Sequence, residues 1–418
     1  SITSDADGKS MRNTVIIVIL LSQLTACTAQ VLVGLDRVLE FEHLFQGKRI
    51  GIVCNQTAVD RNRIHIIDRF SAMENVQIQA LFALEHGLWG TQEAGERIAH
   101  QLSADRIQIF SLYGASRKPT PQMLSDIDML VLDVQDIGAR FYTYIWTMAE
   151  AMTAAAERGI PFVVLDRPNP LNGLIMEGPM LEREYVSFIG MFPIPVRHGL
   201  TIGELARMFA GEGWLDSERR VELTVVPLRG WRRAEFIDAD ATRFIPPSPN
   251  IPTPSTALIY AGTCLLEGTN VSEGRGTESP FLSLGAPWIQ SDELLRSLAV
   301  YRFPGITLAP IEFVPHSLPG RAMNPKYRDT PCHGIMIRVN DWSAARPFTM
   351  GVLLVKTIHD LYPHHFVFNA DHFDRLCGTR RIRIAIERGE DIEPILSAWE
   401  GDLEGFDRLR SRYLLYSE

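Results

Sequence analysis

Residues 128–134, 143–159 and 161–166 read DMLVLDV, TYIWTMAEAMTAAAERG and PFVVLD. The first has an uninterrupted apolar centre, as expected of a strand covered on both faces. The second is rich in Ala and Met and is stopped by Gly159 ahead of Pro161, which predicts a helix. The third is another short apolar run. Strand, helix and strand with short connections make a βα unit, and such units require parallel pairing. Working outward, RIGIVC (49–54) and VQIQALF (76–82) predict two more strands. Between them RIHIIDRFSAM (63–73) predicts a helix with Ile64, Ile67 and Phe70 on one face. The first half is therefore expected to be a doubly wound parallel α/β sheet.

The stretch FIPPSPNIPTPS (244–255) is too rich in proline to continue any element, so a domain junction is placed near 245. Beyond it the pattern mixes a helix candidate around ALIYAGTCLLEG, a Gly-rich polar loop, the strand-like HGIMIRV (333–339) and a helix over 348–362. This predicts a smaller α+β domain over 246–418, following an N-terminal domain over 27–245. Ahead of both, Met11-Arg12-Asn13, an apolar run and LTAC ending at Cys27 have the order of a secretory signal. LTAC also resembles a lipoprotein box, so lipidation of Cys27 and a membrane tether in the cell envelope are expected. The alternative is a plain cleaved signal with Cys27 incidental. Residues 1–26 would then be upstream residues and signal peptide.

A chain of 418 residues, 46% hydrophobic and 22% charged, can bury a sizeable core. Its net charge of −9 gives no bulk positive field for a phosphate backbone, which argues against nucleic acid as a partner. Five cysteines without a CxxC pair argue against a disulfide scaffold or a structural zinc site.

In an open parallel sheet, ligands bind beyond the carboxyl ends of the strands. Four such ends carry polar loops here: Asn55-Gln56-Thr57; Glu85-His86-Gly87; Asp133 with the run from Gln135 and Asp136 through Arg140, Tyr142 and Tyr144; and Asp166-Arg167-Pro168-Asn169. Glu85 is the sharpest candidate, because an apolar strand before it and glycines after it would hold a general acid in a partly desolvated cleft. His86 beside it could shuttle a proton. A second polar concentration spans 266–277, where Glu267, Asn270, Glu273 and Arg275 sit among glycines and offer carboxylates and a guanidinium fork. No GxGxxG follows the first strand, and GxSxG and HExxH are absent. What remains is carboxylates with Tyr, Asn and Arg, the side chains that glycoside hydrolysis uses.

At these same residues the chain resembles the NamZ-type exo-β-N-acetylmuramidase family. The matching pieces include GKRIGIVCNQTAVD, LEHGLWG, SLYG, DVQDIGARFYTY, LDRPNPLNG, PVRHGLTIGELA, PSPNIPT and LEGTNVSEGRGT, in order from about residue 34 to 277. One departure is Ala83-Leu84, where members usually carry Gly-Pro before Glu-His-Gly. The resemblance implies a Rossmann-like N-terminal domain, a smaller C-terminal domain, and release of N-acetylmuramic acid from the non-reducing ends of peptidoglycan fragments; the residues themselves lead us to expect a glycoside hydrolase without metal or cofactor. Glu85 is then the leading candidate for the catalytic acid, with Asp133, Asp136, Glu267 and Glu273 as candidates for a second carboxylate. Arg140 and Arg275 would meet the lactyl carboxylate of the sugar. Asn55, Asp133, Tyr142, Tyr144, Arg167, Asn169, Asn250, Glu267 and Asn270 complete the expected binding set. A second reading keeps the cleft without catalysis, as a cell-wall sugar-binding lipoprotein. A third is a metal-dependent hydrolase using His86 and Asp133.

Overall fold

Alternation within each strand explains how the sheet is covered. In the computed structural model, which describes residues 31–91, 101–102, 107–114, 116–237 and 244–418, strand β1 is Arg49–Cys54, β2 Gln77–Ala83, β3 Gln101–Leu102, β4 Gln108–Ser111, β5 Met129–Asp133 and β6 Phe162–Leu165. The expected signal segment and Cys27 lie outside the described residues. Met129 and Val131 of β5 face a core that includes Leu35, Val38, Phe45, Ile66 and Phe70. Leu130 and Leu132 face the opposite core, which holds Ala149, Met152 and Phe209. A side-chain period of two with both faces buried is why the strand reads as one apolar run. Each fully buried Leu, Val, Ile or Phe contributes about 1.5–3 kcal/mol relative to exposure.

β7 (Glu177–Met180) and β8 (Pro195–Arg197) form a separate antiparallel pair, and β9 (Leu223–Val226) returns to the main sheet. The order of that sheet is β3-β4-β2-β1-β5-β6-β9, with β3 antiparallel at the edge and the other six strands parallel. Successive strands are added on one side of β1 as far as β4 and on its other side from β5 onward, so the crevice beyond the carboxyl ends of β1 and β5 is where a ligand site belongs. There Thr57 Oγ1 accepts from the Gln135 amide at 2.9 Å and ties the two strand ends together.

Helix α1 is Ile66–Ser71, α2 Tyr144–Arg158 and α3 Ile202–Gly211. α2 follows the sequence expectation: Gly159 at φ +73° caps it, its amide reaching Ala155 and Ala156 carbonyls. α1 is shorter than expected. Arg63 sits at φ +63° and His65 is the N-cap, so Ile64 lies outside the helix and Ile66 and Phe70 form the buried face. The short strands β4 and β9 were not legible in the sequence pattern.

In the smaller C-terminal part, α4 (Pro254–Thr263) runs into a 3₁₀ turn over Cys264–Gly268, so ALIYAGTCLLEG is not one continuous helix. β10 (Ser283–Ala286), α5 (Ser291–Leu298), β11 (Ile306–Phe313), β12 (Cys332–Val339), α6 (Pro347–Leu361), α7 (Ala370–Cys377), α8 (Arg381–Glu387) and α9 (Glu393–Arg410) follow. The three strands pair antiparallel in the order β10-β12-β11. α4 crosses α6 at glycine: a Cβ on Gly262 would fall 1.7 Å from the Pro347 carbonyl oxygen, and one on Gly351 2.4 Å from that of Gly262. The backbones touch there because neither residue has a side chain. Tyr416 near the end of the described chain donates its hydroxyl to Asp166 at the end of β6.

Candidate active site

Glu85 stands two residues past the end of β2, after Leu84. His86 and Gly87 then take φ values of +70° and +78°, and the Gly87 amide returns to the Leu84 carbonyl at 3.0 Å, so the chain turns sharply and presents the carboxylate at the strand end. Thr143 stands at the N-cap of α2, but its hydroxyl makes no cap bond and instead donates to Glu85 Oε2 at 2.7 Å. The positive end of α2 therefore faces the same carboxylate. Tyr113, just beyond β4, also hydrogen-bonds Glu85; burial and then the Glu85 charge push its phenol up, so it stays protonated and donates.

Glu85 and His86 line a cavity of about 380 Å³. Tyr113, Tyr142 and Thr143 share their side of it, and Ser248 and Ile251 from the proline-rich stretch close another. From beyond residue 254 come Tyr260, Glu267, Arg275 and Phe281. The rings form an edge-to-face series, Phe141 on Tyr260 at 5.4 Å and Tyr260 on Phe281 at 4.7 Å, which gives the wall an apolar, rigid surface.

Arg275 forks onto Glu267 Oε1 from Nε at 3.2 Å and Nη2 at 2.6 Å, with its guanidinium 5.0 Å above the Phe281 ring. Burial pushes the Glu267 pKa up, but Arg275 and His372 outweigh it and hold the carboxyl at about 2. Glu267 is thus a carboxylate throughout the neutral range. Glu273 lies behind it, buried, with Oε2 2.9 Å from Lys326 Nζ and Oε1 3.5 Å from Arg275 Nε.

The structure brings together Glu85, His86, Tyr142, Glu267 and Arg275 on one cavity, and does not bring the other expected residues there. Asp133 binds Arg167 through both carboxylate oxygens, and Arg167 also donates to the Val59 carbonyl, so this pair is an internal tie. Asp133 is accordingly not available to share a metal with His86; among the described residues no group of three or more His, Cys, Asp or Glu side chains is placed to hold one. Asp136 is buried, accepts from the Gly138 amide at 2.7 Å, and is pushed up to about 7 by burial. Arg140 is fully buried and donates to the carbonyls of Pro179, Ile194, Leu376 and Cys377, which leaves its fork no access to a substrate carboxylate.

Asn55 binds Thr57, and Asn169 binds the Leu200 carbonyl and the Leu171 amide; both shape their own loops. Tyr144 donates to the Pro247 carbonyl at 2.5 Å and Asn250 to that of Arg321 at 2.7 Å. Asn270 pairs with the backbone at His365 and Val367. These side chains hold the walls rather than line them. Sequence reasoning passed over Tyr113, Tyr260 and Phe281 as site residues. Tyr113 follows a strand too short to register, although SLYG marked its position; Tyr260 and Phe281 read as core.

Two carboxylates from distant parts of the chain, facing one aromatic-walled space, supply what cleavage of a glycosidic bond needs, and the chain is a glycosidase. It belongs to the family of the exo-beta-N-acetylmuramidase NamZ: residues 50–255 match the family's N-terminal part and residues 258–416 its C-terminal part. The family match thus extends past residue 277, the end of the last matching motif. The chain is 42% identical over 395 residues to the peptidoglycan beta-N-acetylmuramidase NamZ of Bacillus subtilis, covering 94% of this chain and 93% of that protein. Crystal structures of two DUF1343 family proteins from Bacteroides fragilis are each 34% identical to it. One superimposes with a TM-score of 0.83 over 93% of this chain and 99% of its own, the other with 0.77 over 93% and 100%.

Proposed function

We propose that this glycosidase is exo-acting and releases N-acetylmuramic acid from the non-reducing ends of peptidoglycan fragments, with its site in the cavity between the Rossmann-like part and the smaller part that begins near residue 246. The observation that carries this reading is the presence of Glu85 and Glu267, from opposite sides of that junction in the sequence, in the lining of one cavity. Glu85, held by Thr143 and Tyr113, donates its proton to the departing glycosidic oxygen. Glu267, kept ionised by Arg275, faces the oxocarbenium-like charge that develops on the sugar. Arg275 is the cation on the wall suited to the lactyl carboxylate, since Arg140 is spent on carbonyls. A space of about 380 Å³ accommodates one sugar ring with its substituents, which suits removal of a terminal residue.

The test is release of free N-acetylmuramic acid from a defined disaccharide by the wild type and by Glu85→Gln and Glu267→Gln. Release by the wild type and its collapse in both variants is the expected result. Binding of the sugar by the wild type without release would instead establish the sugar-binding lipoprotein. The order of signal, LTAC and polar body supports an envelope location, periplasmic and tethered through Cys27.

A further inference from the structure

Among the large apolar side chains that the described residues leave exposed, Trp89 is the one aromatic, with 60% of its surface open. Its neighbours in that class are single aliphatic residues and Met323, whose exposure needs no special account. An indole is different, because it has a large apolar face whose burial is worth more than that of any aliphatic side chain. Its position is also particular. Trp89 stands four residues after Glu85, in the loop whose first residues line the cavity, and it is itself outside the lining.

The loop is held firmly enough to present a platform. Its turn is set by the left-handed residues His86, Gly87 and Gly90. Gly90 lies directly against the Gln56 side chain, where a Cβ would come within 2.3 Å, and the Gln56 amide donates to the carbonyls of Pro246 at 2.8 Å and Pro247 at 3.2 Å. Ser248, next along that strand of contacts, is again a cavity-wall residue. On its other side the indole meets the His65 ring, with centroids 5.4 Å apart. His65 is anchored through Nε2 to the Asn55 carbonyl at 3.0 Å. Trp89 is therefore braced by a tilted contact with the His65 ring and has most of its surface open, in the loop that carries Glu85.

Resting on the proposed exo-glycosidase reading, we infer that Trp89 forms a binding platform for the sugar ring on the leaving-group side of the scissile bond. An exo-acting enzyme with room for one terminal ring must meet the rest of the glycan outside that cavity. A pyranose ring offers an apolar face of C–H groups, and a braced, solvent-open indole is the partner that such a face fits. Glu85, which protonates the oxygen between the two rings, lies in the same loop, so a ring seated on Trp89 would help to hold that oxygen near the acid.

The experiment compares kcat/KM for two substrates, the disaccharide of N-acetylmuramic acid and N-acetylglucosamine and the methyl β-glycoside of N-acetylmuramic acid, whose leaving group ends at one carbon. Trp89→Ala should reduce the wild-type preference for the disaccharide by about tenfold, mainly through KM, whereas Trp89→Phe should retain most of it. Because the result is a ratio within one preparation, partial misfolding does not alter it. An unchanged preference in Trp89→Ala overturns the inference. So does a loss confined to fragments bearing stem peptides, which would make the indole a peptide contact. If the wild type releases sugar from neither substrate, the exo-glycosidase reading itself fails and this inference falls with it.

Discussion

Thr143 Oγ1 donates to Glu85 Oε2 at 2.7 Å, joining the N-cap of α2 to the end of β2. A threonine at this position would ordinarily cap its own helix, but here the hydroxyl makes no cap bond. Helix stability and carboxylate orientation are thereby separable at one residue. Thr143→Val should lower turnover about tenfold while leaving the thermal unfolding midpoint nearly unchanged, and Thr143→Ser should restore the rate. A midpoint that falls with the rate would mean that the hydroxyl serves the helix after all.

Glu85→Gln keeps the side-chain size and an acceptor for Thr143 but has no proton to give. Turnover should fall by about 10² to 10⁴, the range of lost general acid catalysis, with substrate binding largely retained. Near wild-type turnover on a poor leaving group would place the acid elsewhere.

Removing Arg275 strands Glu267, while Glu273 keeps Lys326 at 2.9 Å. Arg275→Met should destabilise the fold by about 3 kcal/mol, measured by denaturant unfolding at neutral pH, because Glu267 loses its forked cation in a mostly buried setting. The pH dependence has a definite sign. Glu267 is held at about 2 against an ordinary 4.5, so its contribution is present above 4.5 and is lost as pH falls through 2. In Arg275→Met that acid-dependent loss should shrink, because the folded value rises towards the unchanged unfolded one.

Asp136 behaves in the opposite sense. Burial raises its carboxyl from 3.8 to about 7, so the native state gives up stability as pH rises from about 4 to about 7, where the unfolded chain is ionised and the folded one resists ionisation. Asp136→Asn retains an acceptor for the Gly138 amide and cannot ionise. Its stability should be flatter than wild type across that interval, and a parallel pair of pH–stability curves would refute the assignment.

Cys27→Ser should release the protein from the membrane fraction without altering its specific activity. Unchanged partitioning of the variant would remove the lipid anchor from the account.

The sheet was readable in the sequence wherever a strand is buried on both faces. β1, β5 and β6 appear as apolar runs because their two faces meet two cores, and α2 is legible because Gly159 ends it with the one backbone shape that other residues avoid. β4 is four residues long with a polar first residue, so it left no pattern, and Tyr113 beyond it went unseen as a site residue. For the site, sequence identifies which polar residues stand at strand ends, but not which way they turn. Asp133 and Arg140 occupy such positions and turn inward, one to Arg167 and the other to four carbonyls, whereas Glu85 turns to the cavity. The partner that decides each case is distant in the chain, Arg167 from Asp133 and Leu376 from Arg140, and no local pattern encodes it.

The bare crossing of α4 and α6 has a consequence for anyone who mutates this enzyme at random. Tyr260 is carried on α4 two residues before Gly262, and the seat of that helix is set by a backbone with nothing attached. A single added methyl at Gly262 or Gly351 must push the helices apart and carry the tyrosine with them. Screens for altered substrate preference will therefore recover substitutions at both glycines, and these will mimic changes in the sugar-contacting wall although neither position is part of it. The placement of Tyr260 on the cavity wall thus depends on two residues that are not part of that wall.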